Sequence, residues 1–158
     1  MPEHKIKIYS PRKHQKIVHE NLTRFSVLVC HRRFGKTILG INALINAAYN
    51  SAMRGDHMPR FVYLAPDRTQ AKDIAWDWMK FYAGKIPGAK PNESELYIRL
   101  PGGAKIKLKG AENPEALRGP YLDGIFLDEF AQRDLSGTER PGSPDGQGQS
   151  RVLPPLRI

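Results

Sequence analysis

The run Val27-Leu28-Val29-Cys30-His31-Arg32-Arg33-Phe34-Gly35-Lys36-Thr37-Ile38-Leu39 limits this chain more than any other stretch: an apolar segment breaks into a polar loop that ends in Gly-Lys-Thr. Read as strand, loop and helix, it is suited to gripping a polyphosphate. Gly35 lets backbone come close to phosphate, Lys36 neutralises β- and γ-phosphate oxygens, and the Thr37 hydroxyl can ligate Mg²⁺. Ile38, Leu39, Ile41, Leu44 and Ile45 then recur at helical spacing, so the helix starting there aims its N-terminal amides at the same anion. The pattern G-x-x-x-x-G-K-[ST] opens with glycine, and this chain has Cys30 in that place. Taken alone, Gly-Lys-Thr in a basic chain also describes a surface turn with a solvated lysine.

A second motif makes the phosphate reading specific. Gly124-Ile125-Phe126-Leu127 is an apolar run of strand length that ends in the adjacent carboxylates Asp128 and Glu129. Such a run suits a buried parallel strand, with Asp128 at its end holding Mg²⁺ and Glu129 polarising the attacking water as general base. The plainer alternative is a polar turn, or an N-cap for a following helix.

With 158 residues, the chain has room for one domain with a real core. A formal net charge of +9 favours an anionic partner, nucleic acid above all. Basic residues gather at Lys5, Lys7, Arg12, Lys13 and Lys16 and again at Arg99, Lys105, Lys107 and Lys109, although lysines on an exposed strand also serve as guards against edge pairing. The single cysteine excludes an intramolecular disulfide and fits a reducing compartment. Without a signal peptide or an apolar stretch of membrane-spanning length, a cytoplasmic protein with no membrane partner is expected. The histidines and Cys30 lack metal-ligand spacing, which leaves ATP with Mg²⁺ as the expected cofactors.

Along the chain, Lys5–Tyr9 alternates like an edge strand and Ser10-Pro11 opens a helix through Gln15, Ile17 and Val18. The helix after Gly-Lys-Thr breaks at Arg54-Gly55-Asp56. A buried strand, Phe61–Ala65, follows, and then a helix from Thr69 to Tyr82 whose Ile74, Trp78, Phe81 and Tyr82 form its core face. Leu96–Leu100 and Ala104–Leu108 alternate around Pro101-Gly102-Gly103 as a hairpin. Asn113-Pro114-Glu115 begins a short helical turn before the acidic strand. From Arg133 the chain is rich in Gly, Pro and Ser and reads as disordered. The expected fold class is α/β: a P-loop NTPase with a mostly parallel sheet flanked by helices, an inserted β-hairpin and a disordered C-terminal tail.

Together these residues resemble the ATPase domain of the large terminase subunit, the DNA-packaging motor of tailed bacteriophages and related viruses, over about Tyr9 to Gln132. His31-Arg32-Arg33-Phe34-Gly35-Lys36-Thr37 is similar to the family's Walker A, which often lacks the first glycine and carries arginine in the loop. Ile125-Phe126-Leu127-Asp128-Glu129-Phe130-Ala131 is similar to its Walker B with the catalytic glutamate. Pro11 and Gln15 sit where the family's adenine-recognition segment lies. The stretch Lys109–Pro114 with Leu117-Arg118-Gly119 precedes Walker B as it does there.

The resemblance implies nucleotide contacts from Gln15 and from His31 through Thr37, with Mg²⁺ on Thr37 and Asp128. It also implies Glu129 as base, Arg118 as an arginine finger, and Arg32 or Arg33 as a γ-phosphate sensor in cis. The implied activity is ATP hydrolysis coupled to translocation of double-stranded DNA into a procapsid. The implied partners are the small terminase subunit, the portal protein and further copies in a homo-oligomeric ring, within a bacterial host. The coupling strand and nuclease domain that follow Walker B in terminases have no counterpart here. The expected organisation is therefore an incomplete ATPase domain over 1–132 and a disordered or non-native tail over 133–158, as in a truncated or frameshifted product. Two other readings stay open: a helicase-like nucleic-acid ATPase, for which the length leaves no second motor domain, and a non-catalytic nucleotide- or DNA-binding remnant.

Overall fold

Arg60–Ala65 (β1) alternates nothing: all of it after Arg60 is buried, because it is covered on both faces and bonded on both edges. The computed structural model describes residues 7–112 and 121–128, and in it β1 lies at the interior of a five-stranded sheet. Lys105–Gly110 (β4) pairs with β1 in parallel along one edge, with Phe61 opposite Ile106 and Tyr63 opposite Leu108. Gly124–Leu127 (β5) pairs in parallel along the other, with Tyr63 opposite Phe126. Outside β4, Tyr97–Arg99 (β3) and then Lys90–Asn92 (β2) add antiparallel, giving the order β2-β3-β4-β1-β5. The chain is thus α/β with a mixed sheet, two pairings parallel and two antiparallel, where a mostly parallel sheet was expected. The hairpin falls where the alternation placed it, and its strands continue the sheet instead of standing apart from it.

Period-two alternation sorts the sheet into two faces. Phe61, Tyr63, Ala65, Ile98, Ile106 and Leu108 share one face and form the main core. The helix Lys36–Met53 (α2) packs there through Ile41, Leu44, Ile45, Ala48 and Ala52. Beside it runs a helical stretch made of Arg68–Gln70 (α3), a π turn over Ala71–Trp76 and Asp77–Ala83 (α4). On the other face Val62 and Leu64 pack with Ala111 and Leu122, and Lys105, Lys107 and Lys109 project beside them. One acidic side chain ties the second helical stretch to the hairpin end of the sheet. Glu93 accepts from Trp76 Nε1 at 2.6 Å and from Lys80 Nζ at 2.9 Å, and these two donors hold its carboxyl below the usual range.

Four expectations need correction. Gly124–Leu127 is a parallel strand but not a buried one: β5 is an edge of the sheet among the described residues, and Ile125 and Leu127 are 44% and 43% exposed. Residues 26–30 carry no strand: Val27 and Val29 are 90% and 96% exposed, and β1 is the partner of β5 among the described residues. An apolar run becomes a strand only where an edge offers hydrogen bonds and a face offers packing, and neither meets these residues. Ile74, Trp78 and Phe81 are not a core face but are 54%, 45% and 56% exposed. The buried positions of that stretch are Ala71, Ala75, Trp76, Met79 and Ala83, because small residues let the helix approach the sheet closely. The outward aromatics instead pack on one another, Phe81 lying edge-on to Tyr82 at 5.1 Å with the Lys85 ammonium 4.5 Å above the Phe81 ring. Finally, residues 7–10 carry no strand; Lys85 Nζ donates to the Ile8 carbonyl at 2.7 Å and Tyr9 stacks edge-on to Tyr82. The helical turn expected at 113–115 and the tail over 133–158 lie outside the described residues.

α2 comes close to the sheet at Gly40. A Cβ built there would stand 2.3–2.6 Å from the Phe126 ring, so α2 lies against β5 only because this position has no side chain. Gly40→Ala should lose about 1–2 kcal/mol in urea unfolding, overpacking outweighing the roughly 1 kcal/mol that alanine gains in an exposed helix. Adding Phe126→Leu should recover most of that loss; a Gly40→Ala protein more stable than the parent would contradict this packing.

Candidate functional site

At the carboxyl ends of β1 and β5, the start of α2 and the end of the acidic strand meet. Gly35 stands at the N-cap of α2 in the left-handed region, φ 84°, which only glycine adopts without strain. A Cβ there would also lie 2.7 Å from Gln15 Nε2. Glycine is therefore required twice, by the turn and by the neighbour. From this cap the helix places Lys36 and Thr37 in its first turn, and Thr37 Oγ1 donates to Asp128 Oδ2 at 3.1 Å across ninety-one residues of sequence. The main chain holds Asp128 as well, since its N–H donates to the Leu64 carbonyl at 2.9 Å.

The loop ahead of the helix is open. His31, Arg32 and Arg33 are exposed, Phe34 through Thr37 half-buried, and Arg33 itself has a positive φ of 66°. Lys36 curls back so that Nζ donates to the Cys30 carbonyl at 3.3 Å, closing the loop on itself. No carboxylate pairs with Lys36, Arg32 or Arg33 among the described residues, so their positive charge adds to that of the helix N-terminus. Cys30, half-buried, stands at the place of the motif's first glycine.

Lys13–Asn21 (α1) supports the loop from outside the sheet. Gln15 is 4% exposed and its amide is fully engaged: Oε1 accepts from Arg12 N–H at 2.9 Å, while Nε2 donates to the Phe34 and Gly35 carbonyls at 3.4 and 3.3 Å. His14 adds a ring contact with Phe34, centroids 4.5 Å apart. Gln15, which the resemblance gives to adenine, is thus at the loop and bonded to its backbone.

The oxygen donors suit a hard cation. Mg²⁺ takes one or two protein oxygens together with phosphate and water, and a hydroxyl and a carboxylate side by side supply that set. Among the described residues no group of three His, Cys, Asp or Glu side chains could hold a metal without such help. A cleft opens beside the pair, lined by Thr37, Tyr63, Pro66, Gln70, Ile74 and Asp128. Tyr63 and Gln70 were not anticipated as site residues. Tyr63 reads as an ordinary core position of a buried strand, and Gln70 as an ordinary polar position of a helix. Arg118 and Glu129 lie outside the described residues. No described helix is long and apolar enough to cross a membrane.

Compared with protein-family models, curated proteins and solved structures, the chain matches none of them.

If Gln15 holds the loop, Gln15→Ala should speed amide exchange at Phe34–Ile38 and lower stability by about 1–2 kcal/mol, the cost of leaving buried groups without their partner. Exchange at the loop unchanged from the parent would show that the tie has no part in holding it.

Proposed function

We propose that this chain is the ATP-binding and hydrolysing domain of a viral DNA-packaging terminase motor, a P-loop NTPase that couples hydrolysis to translocation of double-stranded DNA. The observation that carries the nucleotide part is the meeting of Thr37 Oγ1 with Asp128 Oδ2 at the start of α2. A surface turn and a remote polar loop have no reason to meet. A phosphate-binding loop and its metal-holding carboxylate must. The terminase part rests on the resemblance of His31–Thr37 and Ile125–Ala131 to that family's Walker motifs.

In this reading Lys36 exchanges the Cys30 carbonyl for β- and γ-phosphate oxygens, and the first amides of α2 add their dipoles. Thr37 and Asp128 would hold the magnesium ion that accompanies ATP, which neutralises phosphate charge. Glu129, next in sequence, would take the proton of the attacking water. Arg32, Arg33 and Arg118 are the cations available to the developing charge, Arg118 from one subunit to the next in a ring. The exposed loop argues for a site that closes on its ligand. The basic charge of the chain supports a DNA partner, and the small subunit, the portal protein and a host-cell setting come with the family.

Calorimetry should find Mg-ATP binding to the parent chain and none to Lys36→Ala. Glu129→Gln should keep binding and slow hydrolysis by about 10²–10⁴-fold. Equal binding by the parent and Lys36→Ala would remove the nucleotide reading altogether.

A further inference from the structure

Tyr63 carries chemistry that the nucleotide reading leaves unused. It lies on β1, 1% exposed, its ring tilted against Phe126 with centroids 5.4 Å apart. Its hydroxyl donates to Asp128 Oδ2, the same oxygen that Thr37 Oγ1 reaches at 3.1 Å. Packing alone does not ask for this residue. Phenylalanine would fill the same volume in the main core without a buried hydroxyl that must find a partner.

We infer that Tyr63 is a positioning residue for the metal site: it sets the orientation of the Asp128 carboxylate so that the nucleotide's Mg²⁺ meets it ready-placed. The inference rests on the nucleotide-binding reading and extends it to a residue outside both motifs. Asp128 follows the last residue of β5, where the single bond from Thr37 Oγ1 would leave its carboxylate room to turn about its side-chain bonds. Its backbone is tied to Leu64 and its side chain to Tyr63, two successive residues of β1. Two points on a rigid central strand therefore fix both the position and the rotation of the group. No proton moves. The phenol donates and the carboxylate oxygen accepts. Partners of this kind, one step removed from the metal, commonly govern affinity by about 10–100-fold.

The test is a Mg²⁺ titration of ATP binding by calorimetry on the full 158-residue chain. It compares the parent, Tyr63→Phe, Asp128→Asn and the double variant, with thermal unfolding run on each. Tyr63→Phe should need about tenfold more Mg²⁺ or greater for half-maximal binding. In EDTA it should bind ATP as the parent does, because Lys36 and the loop are untouched. The double variant should bind no worse than Asp128→Asn alone, since the hydroxyl acts only through that carboxylate. An unshifted Mg²⁺ midpoint in Tyr63→Phe, or losses that add in the double variant, would overturn the positioning role and leave the nucleotide reading intact. Absence of ATP binding by the parent in saturating Mg²⁺ would overturn both. Should Tyr63→Phe not fold, 4-aminophenylalanine at position 63, which keeps a donor at the same reach, replaces it: a Mg²⁺ midpoint close to the parent's is expected, and a midpoint shifted as far as that of Asp128→Asn would overturn the role.

Discussion

Parallel pairing on both edges of β1 is the constraint from which the rest of the molecule follows. Parallel neighbours bring the carboxyl ends of β4, β1 and β5 to one side of the sheet, and each return to the other side requires a long crossover. Between β1 and β4 that crossover includes the π-turn helical stretch and the hairpin. The residues that follow these strands, Pro66-Asp67 after β1 and Asp128 after β5, gather at one end as a result. Ligand sites of open α/β sheets lie at such ends for the same topological reason.

Held this way, the site divides into a rigid half and a loose half. Asp128 and Tyr63 belong to the sheet and inherit its stability, the one through its backbone bond to Leu64 and the other through near-complete burial. Residues 30–36 are held by a few side-chain bonds, among them those of Gln15 to Phe34 and Gly35 and that of Lys36 to Cys30. Segments with few buried contacts open at low cost. A carboxylate fixed in advance beside a loop free to adjust is the division of labour that binding a flexible polyphosphate calls for.

Much of this was legible in the sequence wherever one local signal had a single physical solution. Gly35-Lys36-Thr37 ahead of apolar residues at helical spacing read as a loop that opens a helix, and α2 begins at Lys36. Phe61–Ala65, too apolar for a half-solvated strand, is an interior strand of the sheet, whereas Gly124–Leu127, which reads the same way, is an edge strand among the described residues, with Ile125 and Leu127 44% and 43% exposed. Period two at Tyr97–Arg99 and Lys105–Leu108 gave the hairpin. The failures came where the local signal had two solutions and tertiary context chose. Val27-Leu28-Val29 has strand propensity, but propensity supplies no partner edge. The apolar spacing of Ile74, Trp78 and Phe81 marks a helix face without saying which face, and the alanines opposite, which permit the closer approach, settled it. Tyr63 could not be seen as a site residue because its hydroxyl's partner lies sixty-five positions away.

The π turn at Ala71–Trp76 has a consequence for how one helical stretch can serve two surfaces. A π turn holds one residue more than an α turn, and one residue of an α-helix corresponds to roughly 100° of rotation. Ahead of the turn Gln70 lines the cleft, and beyond it Met79 and Ala83 fill the core. Were the same residues wound as a continuous α-helix, the two ends would fall out of phase. With Met79 and Ala83 kept inside, Gln70 would swing off the cleft; with Gln70 kept in place, the aromatic ridge of Trp78 and Phe81 would be driven toward the sheet. The stretch behaves as an α-helix with a one-residue insertion, so deleting one residue from the turn would restore a continuous α-helix with Gln70 still at the cleft and Met79 and Ala83 still in the core.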